Sequence, residues 1–253
     1  VTMDKLSLPR GQMETDYQKM LRSLYITLQQ QINELENGQV EQAEYFTMWV
    51  HQIKTPIAAL RLLLAEEEDE RSQEMWEELF SIEQYVEMAL QFSRLSAKST
   101  DFVIGEVSLD KVVREAIHKY ARLFVRKKIK LELTSIDTQI LTDEKWLEFV
   151  IEQILSNAIK YTAGGTISIY QKMTVTDEKK EVKELIIEDT GIGIAPEDLP
   201  RIFEKGYTGY NGHADKRSTG IGLYLCRKIM RKLSHEITIE SEIGVGTKVH
   251  LKM

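Results

Sequence analysis

The sequence predicts an α+β protein of two parts, a helical hairpin followed by an α/β sandwich. Three observations support this fold class. Apolar residues recur every three or four positions up to Phe92, and short β-rich segments alternate with helical ones after Thr100. Apolar residues also make up 42% of the 253 residues, which is enough for packed cores.

The first part carries two amphipathic stripes typical of helices. One covers 17–35, breaks at Asn37-Gly38 and resumes over 46–64, and the other covers 75–92. The polar stretch 66–72 between them has the length of a connection between antiparallel helices, and its acidic run is explained better by a solvated turn than by a cation site. Because two such helices cannot bury both apolar faces alone, we predict a homodimer in which two hairpins form a four-helix bundle.

The second part begins near residue 102 and has the mixed pattern of a sandwich. We predict strands at 102–107, 129–134, 166–174, 182–188, 236–242 and 247–252, with helices at 109–126, 143–161 and 219–233. The polar segment 176–180 is predicted as a hairpin tip. The stretch 191–222 holds seven glycines and little periodicity, which indicates a functional loop such as an active-site lid.

Charge and composition exclude several classes. A net charge of -7 and a pI near 5.4 disfavour binding to a nucleic-acid backbone. The single cysteine, Cys226, cannot form an internal disulfide or a cysteine-based zinc site, which fits a reducing cytosol. No apolar run approaches the ~20 residues of a membrane helix, and no signal peptide is recognisable. Because the chain opens with Val1, we expect further residues upstream.

The first motif that carries chemistry is His51-Gln52-Ile53-Lys54-Thr55-Pro56. Pro56 removes a helical hydrogen bond one turn after His51 and bends or loosens the helix there. A neutral imidazole is a competent nucleophile toward phosphorus near neutral pH. Taken alone, a histidine on a helix is more often structural than catalytic.

Three further motifs lie in the second part. Asn157 to Tyr161 closes a helix, where an amide oxygen suits Mg²⁺ and Lys160 can meet phosphate. Asp189 leaves a strand before Gly191 and Gly193, where a carboxylate can accept a hydrogen bond from an exocyclic amine such as that of adenine. Each motif alone is also explained by an ordinary helix end or turn.

The fourth motif, 218–223, opens a helix with glycines. Backbone N–H groups at such a helix start form a phosphate site. Its residues of interest are Thr219, Gly220, Gly222 and Leu223.

The order and spacing of these four motifs resemble the H, N, G1 and G2 boxes of the histidine kinases, from about residue 41 to the end. The segment 201–209 is similar to the F box of their ATP lid, and 241–247 is similar to their last strand pair. The resemblance implies a dimerising hairpin and an ATP-binding sandwich of the gyrase, Hsp90 and histidine kinase type. It divides the chain into a helical linker (1–40), a dimerisation and histidine phosphotransfer domain (41–98) and a catalytic ATP-binding domain (102–253).

The resemblance also assigns residues. It implies that His51 is phosphorylated, that Asn157 binds Mg²⁺ and that Asp189 binds adenine, while Gln52 can orient the His51 ring. The remaining ATP-binding positions that it implies are Lys160, Tyr161, Gly191, Gly193, Lys205, Thr219, Gly220, Gly222, Leu223 and Thr247. ATP and Mg²⁺ are the expected cofactors. A response-regulator aspartate is the expected phosphoryl acceptor, and Thr55 implies a phosphatase activity toward that regulator.

Two details resemble the intramembrane-sensing kinases of antimicrobial-peptide resistance. One is Gln52 directly after the histidine, and the other is the sequence Lys-Gly-aromatic-Thr-Gly from Lys205 to Gly209. Such kinases have two membrane helices and work with an ABC transporter and a response regulator. The resemblance therefore implies the cytoplasmic part of a bacterial cell-membrane protein.

Two other functions compete with this interpretation. An ATPase of the gyrase or Hsp90 kind carries a glutamate four residues before the magnesium-binding asparagine, but that position here is Gln153, which cannot act as a general base. Glu152 is adjacent, yet about 100° around the helix. A non-catalytic scaffold would need a broken nucleotide site, whereas all four boxes keep their necessary residues.

Overall fold

A computed structural model describes residues 11–65, 69–96, 102–175, 181–209 and 219–253. The chain divides into two compact units, Val1–Thr100 and Asp101–Met253. Within the described residues, no helix is long and apolar enough to cross a bilayer.

The first unit consists of two helices, α1 (Gln12–Ala65) and α2 (Glu70–Ser96). They are antiparallel, because Lys54 pairs with Glu87 whereas Arg61, further along α1, pairs with the earlier Glu83. The stripe predicted to break at Asn37-Gly38 lies on one continuous helix, since a single glycine costs a long helix only about 1 kcal/mol.

The connection between α1 and α2 lies partly outside the described residues, at 66–68. Of the acidic run, Asp69 accepts a hydrogen bond from the backbone N–H of Ser72 at 2.8 Å. Hydrogen bonds from Ser72 lower the pKa of the Asp69 carboxyl. Asp69 therefore serves as a cap at the start of α2.

The second unit is an α/β sandwich. Its elements, in chain order, are β1 (Gly105–Ser108), α3 (Leu109–Arg126), β2 (Ile129–Leu133), β3 (Gln139–Thr142), α4 (Glu144–Tyr161), β4 (Gly165–Val175), β5 (Glu181–Asp189), α5 (Gly222–Lys232), β6 (Glu236–Glu242) and β7 (Gly246–Lys252). The α+β class predicted from the sequence is confirmed.

The main sheet of this unit has the strand order β2-β4-β5-β7-β6. The pair β2–β4 is parallel and the other pairs are antiparallel, so the sheet is mixed as predicted. Helix α4 packs between α3 and α5 against one face, where the alternate residues Ile167, Ile169, Leu185 and Ile187 are almost fully buried. The opposite face carries polar pairs, among them Tyr170 with Glu188.

A second, two-stranded sheet was not predicted. It joins β1 and β3, and β3 is a strand that the sequence analysis missed. The first predicted strand, 102–107, is shortened to Gly105–Ser108, because Val103 instead donates its N–H to the Asp143 carboxylate that caps α4. The predicted hairpin tip at 176–180 lies outside the described residues, although the strands that it connects, β4 and β5, are paired.

Candidate functional site

His51 lies on an exposed side of α1, next to the buried residue Val50. Val50 packs against Val86 and Leu90 of α2. One turn later, the Lys54 ammonium lies 2.7 Å from a Glu87 carboxylate oxygen. These contacts hold this turn of α1 against α2 while the imidazole faces solvent.

The other two predicted catalytic residues share this exposed turn. The side chains of Gln52 and Thr55 are both exposed, and the Thr55 hydroxyl donates a hydrogen bond to the His51 carbonyl oxygen at 3.2 Å. Pro56 lies inside the helix without an N–H to donate to the Gln52 carbonyl. The helix continues for nine residues beyond it, to Ala65.

In the second unit, Asp189 is the last residue of β5 and is buried, with 8% of its surface exposed. The backbone N–H of Gly191 donates to its Oδ1 at 2.8 Å. Burial raises the pKa of the Asp189 carboxyl, and hydrogen bonds from the N–H groups of Gly191 and Thr247 partly counter this effect. The carboxylate is therefore fixed in direction before any ligand arrives.

The loop after Asp189 is held by backbone contacts to two other elements. Ile192 donates its N–H to the Tyr161 carbonyl at the end of α4, and Gly244 of the β6–β7 turn donates to the Ile192 carbonyl. Gly193 has φ +72, and a Cβ there would collide with the Glu242 carbonyl. A residue with a side chain could not allow this approach.

Three predicted residues lie in the last turns of α4. Asn157 and Lys160 are partly exposed, and the Lys160 ammonium lies over the Tyr161 ring, 5.2 Å from its centroid. The bond from Ile192 to the Tyr161 carbonyl links this helix end to the Asp189 loop. The second and third motifs of the sequence therefore meet at one place.

The glycine-rich motif leads into α5. Helix α5 starts at Gly222, followed by Leu223, and its N-cap residue Ile221 makes no capping hydrogen bond with its side chain. Gly220 has φ +65, and a Cβ there would collide with the backbone of Gly206 and Tyr207. The Thr219 hydroxyl instead accepts from the N–H of Ile221 at 3.3 Å.

The lid segment 201–209 packs beside this helix start. Gly206 donates its N–H to the Gly220 carbonyl at 2.9 Å. The Tyr207 hydroxyl donates to Asp198 Oδ1 at 2.5 Å, and this bond and burial raise the Tyr207 pKa. Lys205 is exposed in the same segment, and residues 210–218 lie outside the described part of the chain.

Thr247 completes the set at the start of β7, directly opposite Asp189 in the β5–β7 register. Its hydroxyl lies 2.9 Å from the Ser241 hydroxyl, which also donates to the Gly246 carbonyl. The described structure therefore joins the end of α4 to the Asp189 loop, places Thr247 opposite Asp189, and joins the lid segment to the residues that lead into α5. His51, Gln52 and Thr55 belong to the other unit.

Two neighbouring residues of α4, Glu152 and Gln153, bear on the rival interpretation as an ATPase. Glu152 is buried, and both of its carboxylate oxygens lie 2.6 Å from the Lys119 ammonium of α3. Gln153 is buried one turn before Asn157. An amide thus occupies the position from which a carboxylate would activate water in the rival ATPase interpretation.

Sequence reasoning missed several residues that organise the site. Arg201 stacks on Tyr207 at 4.2 Å, Arg227 of α5 lies over Phe203 at 5.2 Å, and Thr162 buries its hydroxyl beside Gly191. Arg201 lies six residues before Tyr207 in the F box, which was the available signal for that pair, whereas Arg227 is 24 residues from Phe203 and carried no such signal. Nothing in the sequence indicated the third.

Comparison with known proteins identifies the family. The family described as "Histidine kinase-, DNA gyrase B-, and HSP90-like ATPase" matches residues 142–253. Sensor histidine kinase YxdK of Bacillus subtilis (strain 168) is 36% identical over 234 residues, covering 92% of this chain and 71% of that protein. The chain belongs to the sensor histidine kinases. It is thus a protein-histidine kinase of two-component signal transduction with an ATP-binding domain.

Two further relatives of this histidine kinase are sensor proteins by name. Sensor protein BceS of Bacillus subtilis (strain 168) is 35% identical over 79% of this chain and 58% of that protein. Sensor protein kinase GraS of Staphylococcus aureus (strain MRSA252) is 35% identical over 81% of this chain and 58% of that protein. The chain therefore spans between about half and three quarters of the length of these relatives.

Solved structures show the same fold as this histidine kinase. Full-length ShkA in complex with AMPPNP matches with a TM-score of 0.58 and 21% identity, over 83% of this chain and 45% of that one. Acinetobacter baumannii histidine kinase AdeS matches with a TM-score of 0.53 and 22% identity, over 80% and 96% of the two chains. Membership of the family implies a dimer and a cognate response regulator.

Proposed function

We propose that this kinase transfers the γ-phosphoryl group of ATP to His51 and then to an aspartate of its response regulator. The observation that carries the proposal lies in the second unit, where the second motif meets the third at the end of α4 and the fourth motif meets the lid segment. In the transfer, an imidazole nitrogen of His51 forms a bond to the γ-phosphorus. The bond from that phosphorus to the β,γ-bridging oxygen breaks, ADP leaves, and the imidazole releases a proton.

Asp189 is the residue that recognises adenine in this proposal. Its carboxylate receives N–H groups from Gly191 and Thr247, and its remaining lone pairs can accept from the exocyclic amine of the base. Guanine presents a carbonyl oxygen at the same position, which a carboxylate repels. The pocket should therefore prefer adenine nucleotides.

The phosphates lie, in this proposal, between the last turn of α4 and the start of α5. Lys160 and Lys205 supply positive charge, and Gly220 and Gly222 present N–H groups at the helix start. The amide oxygen of Asn157 is a hard donor, and Mg²⁺ is commonly held by few protein ligands together with phosphates, so the residues present fit this metal. When bound, the metal neutralises charge on the phosphates.

Hydrolysis of ATP by water is disfavoured. Gln153 cannot accept a proton at ordinary pH, and Glu152 is held by Lys119. The pocket therefore supports transfer to a side chain better than it supports an ATPase.

Thr55 supports the phosphatase reaction in this proposal. Its hydroxyl donates its proton to the His51 carbonyl, which leaves oxygen lone pairs that can accept from a water molecule. Such a water could attack the phosphoryl group of the regulator. Thr55→Ala should keep autophosphorylation and lose phosphatase activity, and unchanged dephosphorylation of the regulator would refute this role.

For the whole protein, we propose the organisation of a membrane sensor. Residues 1–40, of which 1–10 lie outside the described part of the chain, are the linker from a membrane-embedded part, 41–98 the dimerisation and phosphotransfer domain, and 102–253 the catalytic domain. The likeness to BceS and GraS and the sequence from Lys205 to Gly209 support a role in antimicrobial-peptide sensing together with an ABC transporter.

The decisive experiment uses ATP labelled at the γ-phosphate. The parent should take up acid-labile, base-stable label, whereas His51→Gln should bind Mg-ATP normally and take up none. His118→Gln, at an exposed position of α3, is the matched control and should label like the parent. Acid-labile label retained in His51→Gln would overturn the proposal.

A further inference from the structure

The last turn of α4 ends with every carbonyl hydrogen-bonded. A helix normally leaves its last four carbonyls without partners in the helix. Here the Ala158 carbonyl accepts from the Thr162 N–H and the Tyr161 carbonyl accepts from the Ile192 N–H. The two carbonyls between them, of Ile159 and Lys160, accept from one side chain, the Lys127 ammonium, at 2.8 and 3.3 Å.

Lys127 is the third of three lysines that connect α3 to α4 in one register. Lys111 lies 2.8 Å from Glu144 in the first turn of α4, and Lys119 lies 2.6 Å from Glu152 in its middle. Lys127 reaches the Lys160 carbonyl at its end, and all three links join residues 33 positions apart in the sequence. The lysines are eight residues apart, which is about 12 Å along a helix.

Because the three links join successive positions of both helices in the same order, α3 and α4 run in the same direction and are held together at three points along their length. The first two links are side-chain ion pairs, one in the first turn of α4 and one in its middle. The third differs because its acceptors are backbone carbonyls in the turn that carries Lys160 and Tyr161, and Asn157 lies one turn earlier. A cation there also matches the negative end of the helix dipole.

From these contacts we infer that Lys127 is a positioning residue for the metal and phosphate end of the nucleotide site. It touches neither nucleotide nor metal. It prevents the last turn of α4 from fraying, and so keeps the side chains of Asn157 and Lys160 in the orientation that Mg-ATP requires. The inference rests on the nucleotide site proposed above.

The position of Asp189 gives the inference a specific signature. Asp189 is held by Gly191 and Thr247 from other elements, so fraying of α4 should leave the adenine end largely intact. Loss of the Lys127 ammonium should therefore weaken binding of Mg-ATP much more than binding of ATP without metal. A residue with a merely structural role would weaken both equally or neither.

The test compares Lys127→Met with Lys111→Met in the full chain. Both changes remove an ammonium from α3 that bonds to α4, and Lys111 lies at the end of the helix remote from the site. We expect the dissociation constant of Mg-ATP to rise roughly tenfold in Lys127→Met and less than about twofold in Lys111→Met. In the presence of EDTA, ATP affinity should change little in either variant. Lys127→Arg, which keeps a charged donor, should restore most of the Mg-ATP affinity.

The outcomes are separable. Equal Mg-ATP affinities in Lys127→Met and Lys111→Met, with Asn157→Asp clearly weakened, would overturn the inference and leave the proposed site standing. If Asn157→Asp also bound Mg-ATP like the parent, the proposed site itself would be wrong. Should Lys127→Met fail to fold by circular dichroism, Lys127→Gln, which keeps an N–H donor on a shorter chain, is measured in the same way.

Discussion

At the scale of single residues, function depends on side chains whose direction is set by backbone neighbours. Asp189 receives two backbone N–H groups, and Thr55 bonds to the carbonyl of His51 itself. Such bonds fix an orientation at little entropic cost, because the partner groups are already ordered. The two N–H groups that donate to Asp189 also favour its ionised form.

The protonation state of Asp189 leads to a pH prediction. Burial raises its pKa above the usual 3.8. The ionised carboxylate is the better acceptor for an adenine amine, so adenosine affinity should fall as the pH drops through this raised pKa and level off above it. A charged hydrogen bond is worth about 1.5–3 kcal/mol, or roughly ten- to a hundredfold in affinity.

Calorimetric titrations of adenosine from about pH 4 to about pH 8 would check this. Asp189→Asn should bind more weakly at neutral pH and lack the pH step, and the ratio of the two constants cancels the titration of adenosine itself. A parent affinity that was flat over this range, or a step shared by both proteins, would contradict the assignment of Asp189.

Gln52 leads to a prediction about rate. Its amide can orient the His51 ring by accepting a hydrogen bond, but it cannot take a proton. We therefore expect slow autophosphorylation that is limited partly by proton removal. Gln52→Glu should accelerate the single-turnover rate at saturating Mg-ATP and make it follow the ionisation of the new carboxylate, with an upper guide of about 10²–10⁴-fold for a positioned base.

The control for this variant is its nucleotide affinity and its dimerisation, which should both equal those of the parent because residue 52 is exposed. If Gln52→Glu is no faster although both controls hold, the missing acid does not limit this kinase.

Single residues also show what a sequence can and cannot reveal. The meeting of the Asn157 and Asp189 motifs at the end of α4 agrees with the order and spacing of the sequence motifs, while the chemical roles of His51, Asn157 and Asp189 stay predictions. The role of Lys127 could not be predicted, since its acceptors are backbone carbonyls 32 and 33 positions away and carry no sequence signal. The buried hydroxyl of Thr162, which has no hydrogen-bond partner among the described residues, also carried no sequence signal.

At the scale of elements, periodicity predicted most helices and strands. The helix at 109–126 was predicted with its observed bounds, because its apolar residues repeat at helical spacing. Strand β3 was missed because it has four residues and pairs only with the equally short β1. The parallel pairing of β2 with β4 also could not be predicted, since pairing direction depends on the path of the intervening chain.

In the lid segment 201–209, a single substitution can test which contact holds the segment in place. Tyr207→Phe keeps the ring over which Arg201 lies but removes the bond to Asp198. We expect amide hydrogen exchange in 198–209 to accelerate and the KM for ATP to rise about two- to fivefold, since loss of this hydrogen bond lowers the local stability of the segment. Exchange in the main sheet should not change.

Tyr224→Phe on α5 is the matched control, because it removes the same oxygen from a ring that faces Lys228. Equal exchange rates in the lid of both variants would show that the Tyr207–Asp198 bond does not hold this segment.

At the scale of the whole molecule, the chain comprises two units with separate cores. The second unit buries its own helix and sheet faces, and the pocket residues all belong to it. The change of sequence texture near residue 100 was enough to predict such a division. The dimer bundle remains a prediction, because it depends on a second copy of the chain.

This division predicts that residues 102–253 fold alone. The fragment should bind Mg-ATP within about threefold of the affinity of the full chain, and it should take up no label because His51 is absent. Calorimetry and a thermal melt would measure both properties, with full-length His51→Gln as the control for binding without labelling. A fragment that folds but does not bind would place part of the site outside these residues.

Because the helix Gln12–Ala65 is unbroken, a rotation of its first part about the helix axis would also rotate the turn that carries His51. In the predicted dimer, its apolar stripes before and after Gly38 both face helices of the bundle, so their angular phase matters as much as their separation. One alanine inserted between residues 36 and 45 turns the first stripe by about 100° relative to His51, whereas seven alanines restore the phase to within about 20°. We expect the single-turnover rate of His51 phosphorylation to change sharply after one insertion and to return near the parent value after seven. A rate that declined steadily with inserted length would mean that α1 acts as a spacer and transmits no rotation.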